Sequence, residues 1–271
     1  MKIPYVLIWG GGDLASGVAM RLYRVGIRAL VVEMDQPRVV RRSVSFAQAV
    51  YDGDTRVEDI PGKRVSSPGE AEKCWEKGIM PVIVDPQLTL IKTFPPLALV
   101  DARMRKKQDP LSLDLADLLI GLGPGFIARE NCHAAIETNR GHFLGRVLWE
   151  GAPEAHTGIP GTVLGYDLER VLYAPADGKF AAFNSIGDSV KKGEPILSVN
   201  GVNVLAPFDG VLRGLIHESV RLRRGMKIGD VDPRPEPFRC WTVSEKALAI
   251  GGGVLEALLT GDHIRSRLWQ D

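Results

Sequence analysis

The stretch I8-W-G-G-G-D-L-A-S-G17 decides how the first half of the chain is read. It follows a short apolar run, IPYVLIW at 3–9, which is rich in β-branched and aromatic residues and has Pro4 only at its beginning. That composition suits a parallel strand buried on both faces. After Gly10, Gly11 and Gly12 the period changes. Leu14, Val18 and Leu22 recur every four residues beside Ala15 and Ala19, so one face of a helix is apolar and Gly26 is placed to end it. RALVVE at 28–33 then reads as a second strand closing on an acid. Gly10, Gly12 and Ala15 match G-x-G-x-x-[G/A], and Glu33 follows at the spacing of about 20 residues at which a ribose hydroxyl finds its acceptor. Glycine permits close backbone approach, and a helix N-terminus offers unpaired N–H groups and about half a positive charge to a phosphate. Asp13 fits such a cradle only if it caps the helix or meets a cation. The alternative is a tight structural turn with no ligand.

Working outward, the α/β rhythm continues. PGEAEKCWEKG at 68–78 predicts a helix with Pro68 at its start, PVIVD at 81–85 a strand, PLALVDAR at 96–103 another, and ADLLIGLGPGF at 116–126 a strand entering a second glycine turn at Gly121, Gly123 and Gly125. Acids and glycines at the carboxyl ends of such strands surround the ligand crevice of an open α/β sheet, so Asp101 joins the candidates, while Asp85 and Asp101 as simple turn formers remain the alternative. The basic run Arg103, Arg105, Lys106 and Lys107 reads as a solvated loop, with an anion site as the alternative, and the acidic stretch Asp52, Asp54, Glu58 and Asp59 reads as a solvated loop, with a metal site as the alternative. Asn139-Arg140-Gly141 lies between alternating apolar residues and predicts a hairpin, hence antiparallel strands at this point. Cys132, His133 and His142 are close in sequence without the spacing of a metal site.

The second half hides a repeat with an offset of 32 residues. APADGKF at 174–180 matches APFDGVL at 206–212, VKKG at 190–193 matches LRRG at 222–225, and Ile196 matches Ile228. This resembles the biotinyl/lipoyl hammerhead domains, which implies a small pseudo-twofold barrel. The joining segment SVNGVNVL at 198–205 has no lysine, so neither biotin nor lipoate is expected. DVDPRPEPF at 230–238 is a proline-rich connector, and SEKALAIGGGVLEALLTG at 244–261 predicts a helix capped by Ser244. Each of Gly251, Gly252 and Gly253 weakens an isolated helix by about 1 kcal/mol relative to alanine, which close packing or contact with a ligand would explain.

The bulk numbers narrow the function. The 271 residues carry 34 Lys and Arg against 33 Asp and Glu, a balance that argues against nucleic acid or an anionic membrane as partner. Three dispersed cysteines without a C-x-x-C pair suit a reducing compartment. No leader or membrane span is expected, so the chain is read as cytoplasmic. No G-x-S-x-G, Walker motif or H-E-x-x-H occurs, and no general acid–base pair stands out.

Several blocks together resemble one bacterial and archaeal family, the accessory proteins of the selenium-dependent molybdenum hydroxylase system. They are IWGGGDLASGVAMRLYRVG, SFAQAVYDG, IGLGPGFIARENCHAAIETNRGHFLGRV, HTGIPG, GMKIGDVDPR and the C-terminal GGGVLEALL. The N-terminal part is similar to the XdhC-like maturation factors. The resemblance implies a maturation role: the glycine turns would hold molybdenum cofactor, a pterin with or without its cytosine dinucleotide, or a nucleotide, for a molybdenum hydroxylase apoenzyme. Cys132 or Cys240 would be the candidates for carrying labile selenium or sulfur.

The expected fold class is therefore α/β, a Rossmann-like mostly parallel sheet with a small all-β hammerhead domain and a C-terminal helix. The expected domains are a cofactor-binding domain over 1–165, the barrel over 166–238, and a tail over 239–271 packing on the first domain. Candidate ligand contacts are Gly10, Gly11, Gly12, Asp13, Leu14, Ala15, Glu33, Asp101, Gly121, Gly123 and Gly125, with no metal site. An NAD-dependent oxidoreductase using the same crevice is the alternative, Glu33 being its chief support. A third reading makes the barrel and tail a platform for homo-oligomerisation.

Overall fold

The computed structural model describes residues 3–105, 112–155 and 161–270. By its internal contacts the chain divides into two units. Unit 1 comprises Met1–Pro37, Phe46–Thr157 and Val243–Asp271, and unit 2 comprises Arg38–Ser45 and Gly158–Thr242.

Unit 1 is built on one nine-stranded sheet. Strand β1 (Val6–Trp9) leads through the glycine turn into α1 (Asp13–Arg24) and then β2 (Ala29–Glu33). A short α2 (Ala49–Asp52) precedes a hairpin, β3 (Asp54–Val57) and β4 (Ile60–Val65). Helix α3 (Pro68–Glu76) follows, with Ser67 accepting the Glu70 amide as its cap and proline at its start, and then β5 (Met80–Val84). Strands β6 (Ala98–Asp101), β7 (Leu118–Leu122), β8 (Ala134–Ile136) and β9 (Val147–Leu148) complete the sheet. The order is β3-β4-β5-β2-β1-β6-β7-β8-β9, with β4 to β8 and the central strands parallel and only β3 and β9 antiparallel to their neighbours. Val6, Leu7, Ile8, Leu30, Val31, Leu99 and Val100 have no exposed surface, which explains the unbroken apolar runs of the central strands.

Helix α4 (Glu245–Thr260) returns from the end of the chain to lie on this unit, followed by α5 (Asp262–Arg265). It runs unbroken through its three glycines. A Cβ on Gly251 would stand 2.7 Å from the Gly17 carbonyl oxygen of α1, and one on Gly253 would stand 2.1 Å from the Gly145 carbonyl oxygen, whereas Gly252 has nothing within 4 Å. Close packing, not breakage, accounts for two of the three.

Unit 2 is antiparallel throughout. A four-stranded sheet has the order β10-β16-β15-β12, formed by β10 (Val171–Tyr173), β12 (Ser189–Val190), β15 (Gly210–Leu215) and β16 (Lys227–Asp232). A separate three-stranded sheet has the order β11-β13-β14, formed by β11 (Phe180–Ala182), β13 (Pro195–Val199) and β14 (Val202–Leu205). The repeat has a physical basis. Asp177 of the first copy accepts the Arg224 amide at 2.7 Å, and Asp209 of the second accepts the Lys192 amide at 2.9 Å, so each A-P-x-D-G aspartate caps the basic turn of the other copy. The Arg38–Ser45 segment belongs here too: Val40 accepts the Leu215 amide and lies against Gly214.

This topology corrects the expected fold class. The first unit is not a Rossmann domain, because its sheet is mixed and takes an antiparallel hairpin, β3–β4, on one edge and β9 on the other. No α-helix among the described residues joins β5 to β6 or β6 to β7, where a doubly wound fold has crossover helices. The second unit is two antiparallel sheets with an inserted N-terminal segment, not a hammerhead barrel. The acidic stretch expected as a loop is also corrected, since Asp54 begins β3 and Glu58 and Asp59 form the turn into β4. The hairpin expected around Asn139-Arg140-Gly141 is present, with β8 and β9 antiparallel.

Candidate functional site

The chain leaves β1 for β2 on one side of the sheet, and β6 lies on the other, so the strand order reverses between β1 and β6. Open sheets place ligands outside the carboxyl ends of the strands at such a point. Here that edge is lined by the glycine turn and by the segment after β6. Gly10 has φ +102, a conformation reserved largely for glycine, and a Cβ on it would press on the Ala102 carbonyl carbon at 3.3 Å. Gly12 is the N-cap of α1, with φ −68 and ψ −176, and makes no side-chain cap; Asp13, in the first turn, accepts its neighbour's Leu14 amide at 3.0 Å. Ala15 is buried and Leu14 partly so.

Gly11 is already well occupied. Its amide donates to Glu33 Oε2 at 2.7 Å, and its carbonyl accepts the Ala47 amide at 2.9 Å and the Ser16 hydroxyl. The other Glu33 oxygen accepts the Met34 amide at 2.8 Å. Burial pushes the Glu33 carboxyl above its usual range, while the Met34 and Gly11 amides pull the other way. Each oxygen of this acid thus already has a backbone donor.

Across the reversal, Asp101 is fully buried. It holds Arg103 through paired contacts of 3.0 and 2.6 Å, and Arg105 at 3.3 Å. The Arg103 guanidinium lies 3.1 Å over the Trp9 ring and remains partly open to solvent. Arginine expected in a solvated loop is therefore a fixed cation at the strand ends; Lys106 and Lys107 lie outside the described residues. Asp85 instead caps the turn that follows it, accepting the Thr89 hydroxyl and the Leu90 amide.

The second glycine turn is filled by protein. A Cβ on Gly121 would stand 2.0 Å from the Phe126 ring, one on Gly123 2.8 Å from Thr138 Oγ1, and one on Gly125 2.6 Å from the Arg105 carbonyl oxygen. Cys132 and Cys240 are buried, and burial pushes Cys132 up to about 12 and raises Cys240, so both are thiols at neutral pH. Cys132, His133 and His142 do not gather: His133 accepts the Leu119 amide through Nδ1, and no group of three metal-ligating residues exists among the described residues.

The structure adds residues that the sequence did not single out. Lys246, in the first turn of α4, is pushed below the usual lysine range by burial and by Arg140, against the pull of Asp13, Glu137 and Glu245. Glu137 is buried and accepts the Asn139 and Glu154 amides, while Arg140 pairs with Glu245. The packing of Gly17 on Ala247 brings the first turns of α1 and α4 to the same neighbourhood. Glu137 and Arg140 lie inside the ENCHAAIETNRGH block; Lys246 had no local signal, since its setting depends on a helix more than 200 residues away.

No family model matches the chain. It is 45% identical over 258 residues to the uncharacterized protein YqeB of Escherichia coli (strain K12), covering 95% of this chain and 48% of that protein. The chain thus spans about half the length of that curated relative. Among solved structures it is similar to an aspartoacylase family protein from Mesorhizobium loti, at 11% identity and a TM-score of 0.26 over 87% of this chain and 86% of that one. It is similar to the ectoine utilization protein EutE from Ruegeria pomeroyi at 10% identity and a TM-score of 0.26, over 85% and 86%. Scores this low carry no argument, and the corrected fold rests on strand order and pairing.

Proposed function

We propose that the chain is a cofactor-binding accessory protein that holds a phosphate-bearing organic ligand at the carboxyl edge of the sheet and serves the maturation of a selenium-dependent molybdenum hydroxylase in the cytoplasm. The observation that supports ligand binding is the reversal between β1 and β6, where the side-chain-uncapped first turn of α1 and the partly open Arg103 on Trp9 share one edge. The Arg103 guanidinium and the positive end of the α1 dipole suit a phosphate or diphosphate. The residues therefore fit the phosphate portion of a pterin dinucleotide or a nucleotide. The choice of molybdenum cofactor, and of a hydroxylase apoenzyme as partner, is supported by the resemblance of the sequence blocks. Localisation in the cytoplasm is supported by the cysteine usage, and no helix among the described residues is long and apolar enough to cross a membrane. The NAD alternative rests on Glu33, each of whose oxygens already accepts one backbone amide, from Gly11 and from Met34.

The test is anaerobic calorimetric titration with molybdenum cofactor, CTP, ATP and NAD in turn, on the wild type and Gly12→Val. Gly12 sits in extended backbone that any residue adopts, so valine there needs no change of backbone conformation. The expected result is saturable binding of the pterin or a nucleotide, weakened at least tenfold by the substitution. Undiminished binding removes the first turn from the site, and tight NAD binding with indifference to the pterin overturns the maturation role.

A further inference from the structure

A second surface of unit 1 has the composition of a ligand site and no part in the reading above. The loop between β8 and β9, with Glu256 of α4, lines an open cavity of about 520 Å³ whose other lining residues include His142, Phe143, Arg146 and Val147. A volume of that size lies within the range of roughly 300–1,000 Å³ typical of small-molecule sites. The loop is firmly held. Gly145 donates to Glu137, Glu137 to Arg146 and Arg146 to Phe143, all backbone to backbone, and Gly145 is wedged against Ala249 and Gly253 of α4.

On that rigid base the side chains are left open. Phe143 is 44% exposed. The Arg146 guanidinium stacks 5.0 Å from its ring centre, and the His142 ring meets it edge-on at 5.0 Å. Among the described residues no hydrogen bond or ion pair engages the side chains of Arg146, His142 or Glu256. An aromatic platform, a cation stacked on it and a carboxylate from α4 together line one open cavity.

We propose that this cavity binds a guanine mononucleotide. The base has a flat π-face for Phe143, and its phosphate is a partner for Arg146, with His142 beside it. Glu256 selects the base. A carboxylate offers only acceptors, and guanine presents two adjacent donors, N1–H and the N2 amino group, which it can take together. Adenine places an acceptor at N1 and has no N2 amino group, so it would leave that carboxylate facing a lone pair.

The test is calorimetric titration of the full chain with GMP, AMP and inorganic phosphate, with Arg146→Ala and Glu256→Gln as variants and hydrogen exchange to locate the bound nucleotide. Both substituted side chains are exposed, so neither change threatens the fold. Saturable GMP binding is expected, with AMP at least tenfold weaker, Arg146→Ala weakening GMP at least tenfold, and Glu256→Gln narrowing the GMP–AMP gap. Protection should appear at 142–147 and leave 10–16 unchanged. The proposal is overturned if GMP does not bind, if AMP or phosphate alone binds as well, if Glu256→Gln leaves the gap intact, or if protection falls on 10–16 instead. Only the last of these results bears on the glycine turn, where it would place the nucleotide; the others leave open whether that turn holds its own ligand.

Discussion

Two adjacent glycines of α4 should respond to the same substitution with opposite sign. Alanine at an open helical position gains about 1 kcal/mol over glycine. At Gly252 nothing lies within 4 Å of the added methyl, so Gly252→Ala should realise that gain. At Gly253 the methyl would stand 2.1 Å from the Gly145 carbonyl oxygen, and ordinary contact begins near 3.4 Å, so the two backbones must part by 3.4 − 2.1 = 1.3 Å. The loop cannot yield freely, because Gly145 also donates its amide to Glu137 at 2.9 Å. Overpacking of this kind costs about 1–3 kcal/mol, and contact with backbone on both sides places this case at the upper end. Subtracting the helical gain leaves a net loss of about 2 kcal/mol for Gly253→Ala. For a chain of this size, a change of 1 kcal/mol moves the melting temperature by about 2–4 °C. Thermal unfolding followed by circular dichroism should therefore show Gly252→Ala melting a few degrees above the wild type and Gly253→Ala several degrees below. If both variants melt higher, α4 does not approach the β8–β9 loop as closely as described, and the cavity beside it loses its rigid wall.

Two further outcomes follow from the buried Asp101 and the partly buried Glu33. Asp101→Asn leaves Arg105 in a buried position with its carboxylate partner removed, and should lower stability by about 3 kcal/mol, the lower end for a broken buried pair because Arg103 reaches solvent. A urea midpoint close to the wild type would show that the pairing is dispensable. Glu33 has a folded pKa raised by burial, so the folded state holds its proton more tightly than the unfolded chain. The Glu33 contribution to stability should then fall as pH rises from the ordinary glutamate pKa through the raised folded value, and level off above it. In Glu33→Gln that decline should vanish when stability is measured against pH, whereas a decline of unchanged size would assign it to another group.

Much of the candidate edge was legible because its signals are local. The glycine turn, the helix after it and the acid closing β2 follow one another within 33 residues, and the period of apolar residues reports each in turn. The Ser67 and Ser244 caps were readable for the same reason: capping is decided within one helical turn. The partners of those residues were not legible. The spacing of Glu33 suggested a ribose acceptor but could not show the Gly11 and Met34 amides on its oxygens, and Arg103 read as solvated because its pairing with Asp101 and Trp9 exists only in the fold. The β3–β4 hairpin was missed because its exposed charges masked a weak alternation; pairing with β5 makes β4 a strand.

The sequence by itself determined the succession β1, α1 and β2, the strands β5, β6 and β7, the tight turn at Gly10 to Gly12 and the twofold repeat of unit 2, because each rests on interactions between residues near in the chain or on a period that the chain displays. The tertiary structure decided the fold class, the edges of the nine-stranded sheet, and the meaning of the glycines at 121–125 and 251–253. Strand neighbours and packed helices are chosen by which apolar faces and backbone donors can be satisfied together in space. That choice couples Gly17 to Ala247 and Gly145 to Gly253, and no local pattern records it.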